Sequence, residues 1–205
     1  RSTQAKTLFP YTTLFRSVGM IRVPDSECEP MVNHLLEYWK SHQRKYYYGD
    51  DDYQRAIETM GVRGEIAFSK HLHALGVEHV YNRHIDKCDF DVYHGGKVYL
   101  VDVKTVNVFA KSGAQCQFMF LQRGYKVERM KREGWLIVVA ALCGDRVWLS
   151  KAKPAAELDW KKPEQRFVKA HREDTPHNLC CRLDAFAWEC GDWRNVAAQA
   201  REQEP

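Results

Sequence analysis

Long hydrophobic runs are what this 205-residue chain most clearly lacks. None approaches the roughly 20 apolar residues that cross a bilayer as a helix, so no membrane-spanning segment is expected. Also missing are the Walker loop that cradles nucleotide phosphates, the GxSxG elbow of serine hydrolases and the glycine fingerprint of dinucleotide-binding folds. NTPase, serine-hydrolase and Rossmann readings therefore lack support. No CxxC or HxxxH pair marks a zinc site, and no internal repeat or low-complexity tract appears. The seven cysteines (Cys28, Cys88, Cys116, Cys143, Cys180, Cys181 and Cys190) are odd in number and scattered. That usage fits reduced thiols and a cytoplasmic location better than a disulfide framework. Excess charge of one sign is small, since 31 basic residues against 27 acidic ones leave +4.

What is present suffices for a packed core: 44% of the residues are hydrophobic and 12% aromatic, which excludes wholesale disorder. The length suits one domain, or one domain with an extension. Residues 7–17, TLFPYTTLFRS, resemble one reading frame of a short-read sequencing adapter. Residues 1–17 are therefore read as a non-native scar and set aside, and Met20 becomes the expected start. The scar carries Arg1, Lys6 and Arg16 and no acid, so the remainder has 28 basic against 27 acidic residues, or +1. Any nucleic-acid argument must then rest on local charge.

Periodicity predicts an amphipathic helix over 29–47 and a second helix capped by Asp50, Asp51 and Asp52. After the punctuating Gly61 and Gly64, a third helix is expected from Glu65 to Leu75, closed by Gly76. Strands are expected over 77–81, 88–93, 97–105, 117–121, 135–142 and 146–149, with a basic helix over 123–133 and a loop over 151–166. Helix, strands, helix and strands in that order imply an α/β fold, a mixed sheet with flanking helices. The resulting organisation is a helical extension over 18–60, a core over 61–150 and an appendage over 151–205.

His94-Gly95-Gly96-Lys97 is a tight-hairpin signal, because glycine tolerates positive φ at both turn positions. If Gly95 and Gly96 form the turn, His94 faces Lys97, and counting back sets Asp89 opposite Asp102. Side chains alternate, so Asp89, Asp91, Asp102 and Lys104 share one face, while Phe90, Val92, Tyr99, Val101 and Val103 line the other. Facing carboxylates repel unless a cation neutralises them, and oxygen donors suit Mg²⁺ or Mn²⁺. The plainer alternative is a solvated hairpin face. Glu65 shares a helical face with Phe68, Leu72 and Leu75, the face that should pack on the sheet. It needs a partner there, unless it only answers the helix dipole.

Gly61-Val-Arg-Gly-Glu65, a helix closing at Gly76, Asp89-Phe-Asp-Val92, the hairpin and Val101-Asp102-Val-Lys104-Thr105 together resemble the PD-(D/E)XK nuclease superfamily over about residues 61–105. The resemblance implies a restriction-endonuclease-like core and a metal-dependent nuclease. Asp89 and Asp102 would ligate Mg²⁺ or Mn²⁺, Glu65 would be a further metal or water ligand, and Lys104 would orient or activate water. Asp91 competes with Asp89 for the first aspartate, and Asp89 is preferred because it faces Asp102. Cys88 stands where the family often has proline, and Asp102 where Glu is commoner.

Between Lys104 and Arg132 the bases Lys104, Lys111, Arg123, Lys126, Arg129, Lys131 and Arg132 outnumber one acid, Glu128. Lys126 and Arg129 share a helix face with Gln122, leaving Val127 and Met130 for the core. Lys111, Gln122, Arg123, Lys126 and Arg129 are thus candidate nucleic-acid contacts, with DNA the expected partner; an ordinary solvated helix face is the alternative. Cutting both strands of a duplex with one site per chain would require a homodimer. The rival reading is a non-catalytic nucleic-acid-binding protein on the same fold.

Overall fold

The computed structural model of the protein describes residues 19–41, 51–82, 87–108, 122–162, 178–188, 195–196 and 198–199. The scar, the strand expected over 117–121 and Lys111 lie outside the described residues.

Strand β1 (Ile21–Arg22) leads into helix α1 (Asp25–Ser41). The helix begins ahead of the expected residue 29, because Asp25 and Glu27 in its first turn complement the dipole. Pro30 is thereby enclosed, at the loss of one backbone hydrogen bond. Cys28, Val32 and Leu36 recur every fourth residue and form the buried stripe.

Helix α2 (Asp51–Ala74) is continuous for 24 residues, where the glycines had suggested two helices. Gly64 is a contact residue, not a break: a Cβ there would lie 2.5 Å from Thr105 Oγ1 and 2.9 Å from Ala140 Cβ, so only glycine lets the helix approach the sheet this closely. Gly61 faces open space. Its propensity penalty of about 1 kcal/mol is outweighed by burial of Val62, Ala67, Phe68 and Leu72. Gly76 ends the helix as expected, at φ +65°, and Val77 N–H donates to the Leu72 carbonyl at 2.9 Å. Leu75, expected on the buried face, is 49% exposed, because the helix stops at Ala74 and the chain turns there.

Strands β2 (Glu78–Tyr81), β3 (Phe90–His94) and β4 (Lys97–Asn107) follow. Gly95 and Gly96 take φ +57° and +72°, and the β3–β4 register runs from His94–Lys97 to Phe90–Val101 as the turn predicted. Then come β5 (Gln122–Arg123), α3 (Gly124–Arg132), β6 (Leu136–Cys143), β7 (Arg146–Leu149), β8 (Lys153–Pro154) and, further on, β9 (Asn178–Leu179). The main sheet has the order β1-β7-β6-β4-β3-β2, with β8 also on β6; β4 and β6 are parallel and every other pair is antiparallel. The fold is therefore mixed α/β. The loop expected over 151–166 instead supplies β8 and a 3-10 turn at Ala155–Glu157, held by Ala155 N–H on the Trp135 carbonyl at 2.9 Å.

β4 changes partner at Val101. It pairs with β3 up to that residue and with β6 from it onward. The two ladders diverge beyond Val101, and Asp102 is the first residue past the fork.

Two apolar layers cover the sheet. α1 and α2 pack with Phe90, Val92, Val101, Val103 and Val138 on one face. α3 contributes Met130 to the other layer, with Ile137, Val139, Trp148 and Leu183. Buried Arg63 ties the N-terminal segment to this body: Nε and Nη1 each donate at 3.0 Å, to the Val23 and Gly144 carbonyls, and Nη2 pairs with Asp25. Among the described residues no helix is long and apolar enough to cross a membrane.

Candidate active site

The fork places Asp102 inside the protein with 0% of its surface exposed. Alternation along β4 sends Asp102 and Lys104 to the face that carries α3, while Val101 and Val103 join the α1/α2 layer. Lys104 Nζ lies 2.5 Å from Asp102 Oδ2. That oxygen has an ionic neighbour but no hydrogen bond of proper geometry. Oδ1 accepts from Lys126 Nζ, reaching across from α3 at 3.1 Å. Burial alone would raise the Asp102 pKa, but Lys104 and Lys126 together hold it below the usual carboxylate range. Burial likewise works against the charge of Lys104, and Asp102 and Asp89 overcome it, so its pKa is raised.

Asp89 does not extend the ladder opposite Asp102 as the counting predicted. The β3–β4 pairing stops at Phe90–Val101, and Asp89 Oδ2 instead accepts the Val103 N–H at 2.6 Å, a side chain in place of a strand. The carboxylate still feels Asp102. Burial, then that neighbouring charge, push its pKa up to about 6. Asp91, the competing aspartate, pairs in register with Leu100 and accepts from the Cys88 thiol at 3.3 Å.

Glu65 projects from α2 toward the same place. Burial and the charge of Asp89 push its pKa up to about 8, and Lys104 and Asp102 also act on it. The Tyr81 hydroxyl donates to its Oε2. The pairing follows from local geometry: Glu65 and Ser69 are one helical turn apart, and Tyr81 and His79 alternate onto the same face of β2. Ser69 Oγ accordingly meets His79 Nε2 at 2.8 Å.

Glu65, Asp89, Asp102 and Lys104 thus come from α2, the approach to β3, and β4 into one electrostatically coupled group. No protein-family model matches the chain, and no curated protein is significantly similar to it. The site's own chemistry therefore carries the functional argument.

The basic stripe is arranged differently from expectation. Val127 and Met130 are buried, as predicted. Lys126, expected on an exposed stripe, turns inward to Asp102 and lies 5.6 Å from the Trp135 ring centroid. Arg129 lies at the same distance from that ring and pairs with Glu133 at 2.9 Å. The backbone of Gln122 and Arg123 pairs with β9. Sequence reasoning missed the roles of Lys126 at Asp102 and of Tyr81 at Glu65. The alternation of His79 and Tyr81 was the available signal for Tyr81; nothing local marked Lys126.

As they stand, no three His, Cys, Asp or Glu side chains among the described residues form a ready metal cage. The donors that could hold an ion are Asp102, Asp89 and Glu65, and a cation already sits on each oxygen of Asp102.

Proposed function

We propose that the protein is a divalent-metal-dependent nuclease with a restriction-endonuclease-like core, hydrolysing phosphodiester bonds in DNA. One observation carries the reading: a fully buried aspartate, a second aspartate and a glutamate with raised pKa values, and a lysine converge at the point where the sheet forks. Burying that many ionisable groups together is costly without a function that uses them.

The donor set suits a hard divalent ion. Asp102 is a fully buried carboxylate whose charge Lys104 and Lys126 maintain, and Asp89 acts on it electrostatically. All the donors are carboxylates, the ligands preferred by Mg²⁺ and Mn²⁺. Asp89 and Asp102 would hold the ion, with Glu65 as the further ligand to it or to water. The bound ion supplies Lewis-acid chemistry, polarising a phosphoryl oxygen and acidifying water.

The chain's own groups do the rest. Lys104, held cationic by Asp102 and Asp89, stabilises the negative charge that develops on phosphate as the P–O bond breaks. Tyr81 fixes the Glu65 carboxyl by its hydroxyl. Glu65, whose carboxyl pKa in the metal-free protein is pushed up to about 8 by burial and by Asp89, would have to give up its proton to serve as the further ligand to the ion or to water.

The test is cleavage of single- and double-stranded DNA by the full chain with Mg²⁺, Mn²⁺ or EDTA, beside the double variant Asp102→Ala, Lys104→Ala. Metal-dependent cutting that the variant loses is the expected result. Salt-sensitive DNA binding without cutting, in folded protein, would favour the non-catalytic binding reading instead. Cutting that EDTA leaves intact would overturn the metal assignment.

A further inference from the structure

Asp102 is surrounded in an unusual way for a metal ligand. Each of its oxygens touches an ammonium group, Lys104 at 2.5 Å and Lys126 at 3.1 Å, and neither contact is fully buried: the lysines are 16% and 20% exposed. An arriving divalent ion would meet two cations already in place. Keeping both would set four positive charges against at most three carboxylates, so the ion and the two ammonium groups compete for the same buried carboxylate.

The two lysines are not equivalent. Lys104 rises from β4 two residues beyond Asp102, on the same face, and Asp102, Asp89 and Glu65 all act on it. Lys126 reaches in from another element, α3, on a flexible four-carbon stem. In the same position that contacts Asp102, its ammonium is 5.6 Å from the centroid of the Trp135 ring, over which Arg129 also lies, so an aromatic face borders it on a second side.

We propose that Lys126 is a built-in competitor of the divalent ion for Asp102, and that loading the ion frees its ammonium to neutralise a phosphate of the substrate. This rests on the metal-dependent nuclease reading. It assigns Lys126 two successive roles. In the metal-free protein it neutralises a buried carboxylate that would otherwise destabilise the fold. In the loaded protein it becomes a cation beside the reacting phosphate, in reach of the substrate only when the ion is present.

The experiment needs no nucleic acid at first. Mn²⁺ alone is titrated by calorimetry into the wild type, Lys126→Met and Lys126→Arg, and thermal melts are run in EDTA and in excess Mn²⁺. Lys126→Met, with the competing charge gone, should bind Mn²⁺ about tenfold tighter, the least expected for one charge at this range. Lys126→Arg should bind like the wild type. Lys126→Met should melt lower than the wild type in EDTA, and excess Mn²⁺ should close that gap. Its cleavage rate in saturating Mn²⁺ should nevertheless fall, with a weaker dependence on salt. Should Lys126→Met not fold in EDTA, Lys126→Gln carries the same titration.

Equal or weaker Mn²⁺ binding by the neutral variants, in a wild type that binds Mn²⁺ and cuts DNA, overturns the competitor role and leaves the nuclease standing. A wild type that neither binds Mn²⁺ nor cuts DNA removes both readings together.

Discussion

Replacing Glu65 with glutamine separates the electrostatics of the site from its packing. The pKa of Glu65 is raised to about 8 by burial and by Asp89. In the metal-free protein the native state therefore holds a proton that the unfolded chain has already released. The resulting stability is complete below the ordinary glutamate range near 4.5 and is lost as pH rises through 8. Each pH unit inside that window removes up to about 1.4 kcal/mol, so the interval from pH 6 to 8 should remove about 2–3 kcal/mol. For a chain of this size that is roughly 5–10 °C in melting temperature. Glutamine has the shape of the protonated acid and keeps an acceptor for the Tyr81 hydroxyl, but it cannot ionise. Glu65→Gln should match the wild type near pH 5 and exceed it at pH 9. The assay is thermal or urea unfolding of both proteins in EDTA at unit pH steps, with the difference plotted against pH. Asp89, raised to about 6, adds a similar fall at lower pH to both proteins and largely cancels. A difference curve that stays flat between pH 5 and 8, instead of climbing across that interval and levelling above 8, would refute the raised pKa and the coupling behind it.

The two glycines of α2 should respond in opposite directions. Gly64→Ala would drive a Cβ into Thr105 and Ala140 and should destabilise by about 1–3 kcal/mol in urea titrations. Gly61→Ala meets nothing and should stabilise by about 0.5–1 kcal/mol in the same assay. Arg63→Met removes bonds to Val23, Gly144 and Asp25 and should lower unfolding free energy by about 2–4 kcal/mol, with Mn²⁺ affinity unchanged in calorimetry. Asp102→Asn leaves Lys104 and Lys126 without their shared counter-charge. It should destabilise the EDTA-treated protein by about 3–5 kcal/mol, read from denaturant midpoints.

How far the sequence could be read depended on the range of the interaction involved. The hairpin register was legible because two glycines specify a turn whose length fixes every pair above it, a purely local constraint. β6 was legible as an unbroken apolar run, which suits a strand buried on both faces. The continuity of α2 was not, since glycine weakens an isolated helix and only the presence of Thr105 and Ala140 shows why one is needed at position 64. The site divides in the same way. Asp102 and Lys104 could be placed on one face from period two alone. Lys126 lies on a different element, and its aim depends on how α3 seats against the sheet, which no local pattern encodes. Asp89 shows a mixed outcome: counting placed it beside β4, but whether it would pair or cap depended on where the ladder stopped.

That last detail has a consequence for observing the site. The Val103 amide, in the strand that bears Asp102 and Lys104, is held on its open side by the carboxylate of Asp89. Its protection against exchange with deuterated solvent therefore rests on a single titratable side chain, whereas amides along the β4–β6 ladder are protected by a neighbouring strand. This one amide should register the ionisation of Asp89, the arrival of an ion or a local opening before the rest of β4 does, giving the molecule a built-in spectroscopic reporter next to its reactive groups.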